Sequence, residues 1–256
     1  MSVLPDRLER FLKPDFHLRS GTGAGVNGKP DACFLQAVDW LTGGNGKTDA
    51  PECVDSVIRG FGIRLNDTAR YAEYRDELKA YAPRVVGTKT TATVTRQRAY
   101  MCADWAIRTI APMAFDFWAK SSPKNAEKAK EWAAKLRAVA PITDEASAQA
   151  GREVAKEAQS AAYAAYAANA AGAAADAAAY AADAAAACAA NADAYAAYAA
   201  DADAYGAANA ANAAYAANAA ANAAARSKTE AFSRQLWDES LALLDRLILV
   251  TEGVSV

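Results

Sequence analysis

Apolar positions recur along this chain at helical spacing, three and four residues apart, and almost nowhere in strict alternation. Leu4, Leu8, Phe11 and Leu12 share one side of a short predicted helix that Pro14 stops. Phe34, Val38 and Leu41 repeat the pattern, with Asp31 offered as the cap and Gly43-Gly44-Asn45-Gly46 as the stop. Pro51 to Leu65 reads as a helix facing inward through Val54, Val57, Ile58, Phe61 and Leu65, and a further helix is predicted from Asn66 or Asp67 to about Tyr81. Between Arg84 and Thr95 the β-branched residues Val85, Val86, Thr88, Thr90, Thr91 and Val94 suit an extended chain. A single strand there has no partner, so a loop is expected. Thr95 to Ile110 is predicted helical, broken or kinked at Pro112. Ser122-Pro123 opens a charged helix to Val139, and Thr143 caps the long segment that follows Pro141. The fold class is therefore all-α: a helical head over residues 1–141, an alanine-rich helix or helical hairpin over 142–226, and an apolar C-terminal helix over 227–256.

The alanine-rich tract dominates the composition. About two thirds of residues 161–225 are alanine, and nearly all the rest are Tyr, Asn, Asp and Gly. At 100° per residue most polar and aromatic positions, among them Tyr166, Asn169, Asp176, Tyr180, Asp183, Asn191, Tyr198, Asp201 and Asn209, fall within one half of a helix. The opposite side is a seam of Ala167, Ala171, Ala174, Ala178, Ala182, Ala185, Ala189, Ala192, Ala196, Ala200 and Ala207, which only Asp193 and Asp203 interrupt. Alanine is the strongest helix former, so propensity and pattern agree. A seam of methyl groups brings helix axes close, but each contact is small, so many must repeat. An unbroken helix of this length would span about 98 Å; Gly172, Gly206 and Asp201-Ala202-Asp203 are the expected bends. The seam needs a partner surface, either the same chain or a second copy in a homo-oligomer. Ser227-Lys228-Thr229-Glu230 fits a capping box for the last helix, whose Phe232, Leu236, Leu243, Leu244, Leu247 and Ile248 should dock on a core.

Charge adds an asymmetry to this picture. The formal net charge is only −2, yet basic residues outnumber acidic ones between Arg59 and Arg137, while the tract carries five Asp and no Lys or Arg. The N-terminal residues lack the apolar core of a secretion signal, and no long uninterrupted apolar run predicts a membrane span. Cys33, Cys53, Cys102 and Cys188 are too scattered for a disulfide framework, so a reduced, cytoplasmic setting is expected.

Chemistry-bearing motifs are sparse. Gly23-Ala24-Gly25-Val26-Asn27-Gly28 matches a dinucleotide fingerprint, and Gly23 with Gly28-Lys29 approaches a phosphate-binding loop, but Pro30 stands where a magnesium-binding hydroxyl belongs and no strand precedes either. Gly46-Lys47-Thr48 has the right ending without the first glycine. The only histidine is His17, so no two-histidine metal site exists and no metal or cofactor is expected. Cys33, near the start of a predicted helix, is the one candidate nucleophile, with His17 as its base; such an enzyme would be a cysteine-dependent hydrolase or transferase. The competing reading is a buried thiol in the series Cys33, Phe34, Ala37, Val38. Arg96, Arg98 and Arg108 with Tyr100 and Trp105 form a basic and aromatic set without any nucleic-acid recognition motif. An ice-binding helix would need regularly spaced threonine, which the tract lacks.

Several stretches also carry a resemblance: Met1 to Leu12, the Cys33-to-Gly43 helix, Pro51-Glu52-Cys53, Pro83-Arg84-Val85-Val86-Gly87-Thr88, and Arg96-Gln97-Arg98-Ala99-Tyr100 with Ala103-Asp104-Trp105-Ala106. In these the chain resembles an uncharacterised family of actinobacteria and their phages, whose members tend to end in an alanine-rich part and a leucine-rich helix. The resemblance implies a bacterial or phage cytoplasmic protein and no particular activity. A histidine associated with that family before Pro51 is Ala50 here. The sequence thus points first to a non-enzymatic structural or interaction protein, with the Cys33 enzyme as its alternative.

Overall fold

The computed structural model describes residues 1–21, 31–163 and 230–251, together with Ala178, Ala182, Ala213 and Ala216 of the tract. The architecture is mostly helical. Helix α1 (Pro5–Leu12) precedes two-residue strands β1 (His17–Leu18) and β2 (Asp31–Ala32), which pair in parallel. Then come α2 (Phe34–Leu41), α3 (Ser56–Asp67), α4 (Ala92–Trp105), α5 (Ala111–Ser121), α6 (Ala126–Arg137), α7 (Glu145–Tyr163) and α8 (Glu230–Leu249). No helix among the described residues is long and apolar enough to cross a membrane.

Several boundaries depart from the sequence pattern for identifiable reasons. Helix α2 starts later than Asp31, because Asp31 and Ala32 pair with His17 and Leu18 instead. Cys33 takes the N-cap position, its backbone N–H donating to Gln36 Oε1 at 3.3 Å. Helix α3 begins only at Ser56, where the Asp55 carboxylate accepts the Val57 N–H at 2.9 Å. The helix expected up to Tyr81 is two 3₁₀ segments, Ala69–Tyr71 and Arg75–Ala80, whose tighter turns bury Tyr71 and Leu78. Residues 84–91 form no strand: Gly87 and Lys89 both donate their N–H to the Cys53 carbonyl, at 3.0 and 3.2 Å.

Pro112 does not end its helix. It lacks the N–H that Arg108 C=O would otherwise receive, and the backbone widens into a π turn over Ala106–Ile110 with Ala111 N–H reaching back to Ala106. Helical geometry then resumes in α5, which folds back through a 3₁₀ turn (Pro123–Asn125) onto α6. At the start of α7 the cap is Asp144 rather than Thr143: its carboxylate accepts the Ser147 N–H at 2.8 Å. The Ser147 hydroxyl's bond to the same carboxylate, followed by that backbone bond, holds the Asp144 carboxyl below its ordinary range.

One continuous core joins these elements. It runs from Phe11 and Leu35 through Phe61, Trp105 and Phe115 to Leu236, Trp237 and Leu243 of α8. Gly62 lets α3 approach α2, since a Cβ there would sit 2.8 Å from the Phe34 ring. Tyr71 is an exception to full satisfaction: its hydroxyl is buried without a hydrogen-bond partner. Burial also pushes its phenol far above the usual tyrosine range. Tyr71→Phe should therefore raise stability by about 1 kcal/mol, because an unpaired hydroxyl leaves the core. The gain should grow above pH ~10, where the unfolded chain ionises its tyrosines but the folded chain keeps Tyr71 neutral. Urea titrations of both proteins at neutral and alkaline pH check this; a variant less stable than the parent at both would refute it.

Candidate functional site

The one histidine and the candidate nucleophile meet different fates. Arg19 N–H donates to Ala32 C=O across the β1–β2 pair. Successive N–H groups alternate edges along a strand, so Leu18 N–H points away from β2. It donates there to Asp76 Oδ1 at 2.7 Å, and His17 Nδ1 lies 2.7 Å from Asp76 Oδ2. Asp76, from the second 3₁₀ segment, thus holds the exposed imidazole on the edge of β1 opposite to the one facing β2 and Cys33.

Cys33 is buried, with 2% of its surface exposed, and desolvation pushes its thiol up despite the backbone N–H groups at the start of α2. Burial outweighs the helix-end effect that the sequence suggested, so at neutral pH the thiol stays protonated. The hydrogen bonds do not bring His17 to Cys33, and the helix-capping contact of Cys33 accounts for its position. Cys33, Cys53 and Cys102 are all free thiols.

The basic and aromatic set on α4 and the π turn is likewise not an open face, and Arg96 is half-buried. Arg98 is 1% exposed and pairs with the fully buried Asp55 at 2.8 Å. Arg108 pairs with Asp104 at 3.0 Å, and Trp105 and Tyr100 are buried. Nor is Gly46-Lys47-Thr48 open to a phosphate. Asp39 Oδ2 accepts the Gly46 N–H at 2.8 Å, so the chain's own carboxylate occupies the place an anion would take. The Gly23–Gly28 motif lies outside the described residues. Among the described residues no group of three His, Cys, Asp or Glu is assembled for a metal ion.

What the head does present is a docking frame for α8. Arg98 Nε donates to Leu247 C=O at 2.8 Å and Nη2 to Val250 C=O at 3.0 Å, capping the C-terminal carbonyls that a helix leaves unpaired. Farther along α8, Arg84 and the Tyr81 hydroxyl engage Asp245, and Glu77 receives Arg234 and the Trp237 indole N–H. No sequence signal marks these partners, which lie more than 140 residues apart.

Of the seam positions that the sequence predicts, two are described, Ala178 and Ala182; Ala213 and Ala216 belong to the tract but not to that seam. Ala178 and Ala182, both seam positions, are 0% and 3% exposed, and Ala213 and Ala216 are fully buried. All four belong to the same core cluster as Ala148, Ala155, Ala158 and Ala162 of α7 and Leu236, Leu243, Leu244 and Leu247 of α8. The other seam positions, Ala167, Ala171, Ala174, Ala185, Ala189, Ala192, Ala196, Ala200 and Ala207, lie outside the described residues, as does the Ser227–Thr229 part of the capping box.

No family model, curated protein or solved structure matches this chain.

Proposed function

We propose that this is a non-enzymatic structural or interaction protein whose alanine-rich helix closes its seam against the chain itself. The observation that carries the reading is the burial of Ala178, Ala182, Ala213 and Ala216 in one core with α7 and α8. Two pairs of alanines, Ala178 with Ala182 and Ala213 with Ala216, lie more than thirty residues apart in sequence and share that core through methyl side chains. Small side chains at such positions allow backbones to approach closely, and their repetition compensates for the small area each one buries. The opposite side of the same sequence pattern, with its Tyr, Asn and Asp, is then what a partner would meet. The family resemblance is compatible with this role and supplies no activity; we keep the actinobacterial or phage origin and the cytoplasmic setting as part of the proposal. A Cys33-dependent enzyme is disfavoured by the protonated, buried thiol and by the turn of His17 toward Asp76.

Overpacking tests the closed seam. Ala182→Leu is expected to cost about 1–3 kcal/mol, because the added methylenes have no room in a packed contact. On a solvated helix the same change costs at most a few tenths of a kcal/mol. Thermal unfolding of the variant checks this; an unchanged midpoint would mean that Ala182 does not pack.

A further inference from the structure

A groove of about 490 Å³ opens between α5 and the first turns of α8. Its apolar lining is Met113, Phe117 and Phe232, the two phenyl rings stacked with centroids 4.8 Å apart, and Ala231 borders it from α8. Lys120 and Gln235 supply polar groups to the lining. The one carboxylate among the described lining residues, Asp116, is already paired with Arg137.

On α5 and α6 the charge is one-sided; α8 adds the carboxylates of Glu230, beside Ala231, and Glu239, one turn beyond Gln235, neither of them in the lining. Between Asp116 and Arg137 the other two carboxylates are also taken, Glu127 by Lys130 and Glu131 by Lys135. Lys120, Lys124 and Lys128 are left with no ion pair among the described residues, and all three are exposed. Among the described lining residues, an apolar floor with one unneutralised cation, Lys120, fits an amphiphilic anion. The volume falls in the range of small-molecule sites.

We propose that this groove binds a small amphiphilic carboxylate, a medium-chain fatty acid or an aryl acid. Its apolar body would lie on Phe117, Phe232 and Met113, and its carboxylate would meet the Lys120 ammonium. Thioether and phenyl surfaces adapt to chains of differing shape, so the site recognises a class rather than one compound. This site is separate from the alanine seam, and its failure leaves the seam untouched.

Isothermal titration of the full chain with decanoate, kept below its micelle concentration, tests the proposal, with 1-decanol as the uncharged counterpart. The expected result is saturable binding of one decanoate per chain and clearly weaker binding of decanol. Lys120→Glu should weaken decanoate about tenfold, the scale of one lost charge contact. Ala231→Trp changes an exposed position and should block the groove, whereas Lys128→Glu, outside the lining, should leave binding within about twofold. Circular dichroism confirms that each variant folds. Absence of saturable binding would overturn the proposal, as would equal binding of acid and alcohol with no effect of Lys120→Glu. A dimer that Ala231→Trp dissociates, without decanoate binding, would assign the groove to a second copy and overturn it too.

Discussion

Arg98→Met should destabilise the protein by about 3–5 kcal/mol, the cost of leaving a buried charge without its partner. Four groups depend on this guanidinium at once. Asp55 Oδ2 loses the cation 2.8 Å away, and its other contact, the Thr95 hydroxyl at 2.6 Å, cannot neutralise it. Thr88 C=O loses a donor at 2.7 Å. Leu247 and Val250 carbonyls, at the end of α8, lose theirs as well. The buried pair is not replaceable by an apolar pair at no cost, because Asp55 Oδ1 also caps α3 through Val57 N–H. Chemical denaturation measures the loss, and proteolysis should show α8 released first. A loss below about 1 kcal/mol would mean that the contacts of Arg98 are worth no more than an exposed ion pair.

Trp237→Ala should have an effect of similar size, about 3–5 kcal/mol, from a fully buried indole removed into a cavity. The ring lies against Tyr71, centroids 5.0 Å apart, and Tyr74, 6.1 Å apart. Its N–H donates to Glu77 Oε2 at 2.9 Å, and the same carboxylate receives Arg234, whose guanidinium stands over the Tyr74 ring. Trp237→Phe separates the two contributions: it keeps most of the packing and removes the indole donor, so about 1 kcal/mol should be lost with the hydrogen bond. Glu77 stays partnered by Arg234 in that variant. If Trp237→Ala and Trp237→Phe cost the same in equilibrium unfolding, packing against Tyr71 and Tyr74 is not what holds α8.

Both predictions fall on α8, and its leucines show why this part of the fold was legible. Leu236, Leu243, Leu244 and Leu247 repeat at helical spacing and are buried. Periodicity of this kind survives in the sequence because burial is read one residue at a time. What secures the helix was not legible. Asp55 and Arg98 meet over a loop and two helix starts, and nothing in local pattern separates Arg98 from Arg96. Cys33 illustrates competition between two local effects: a helix start favours thiolate, burial opposes it, and only the structure shows that burial is the larger. His17 is the candidate base for Cys33 only because it is the one histidine in the sequence; Asp76, nearly sixty residues farther on, holds it elsewhere. Pro112 leaves a kink and a break equally open in the sequence, and a one-residue widening of the helix accommodates the missing N–H. The alanine pattern gave a face and no partner, because a methyl seam suits any closely approaching backbone.

Small-angle X-ray scattering combined with light scattering on the full chain tests the seam's closure most directly. Closure within one chain predicts a monomer of 26.8 kDa. Its radius of gyration should be about 18 Å, the value for a compact chain of this length. A monomer whose longest dimension approaches the ~98 Å of a free alanine rod would contradict that account, and so would a dimer.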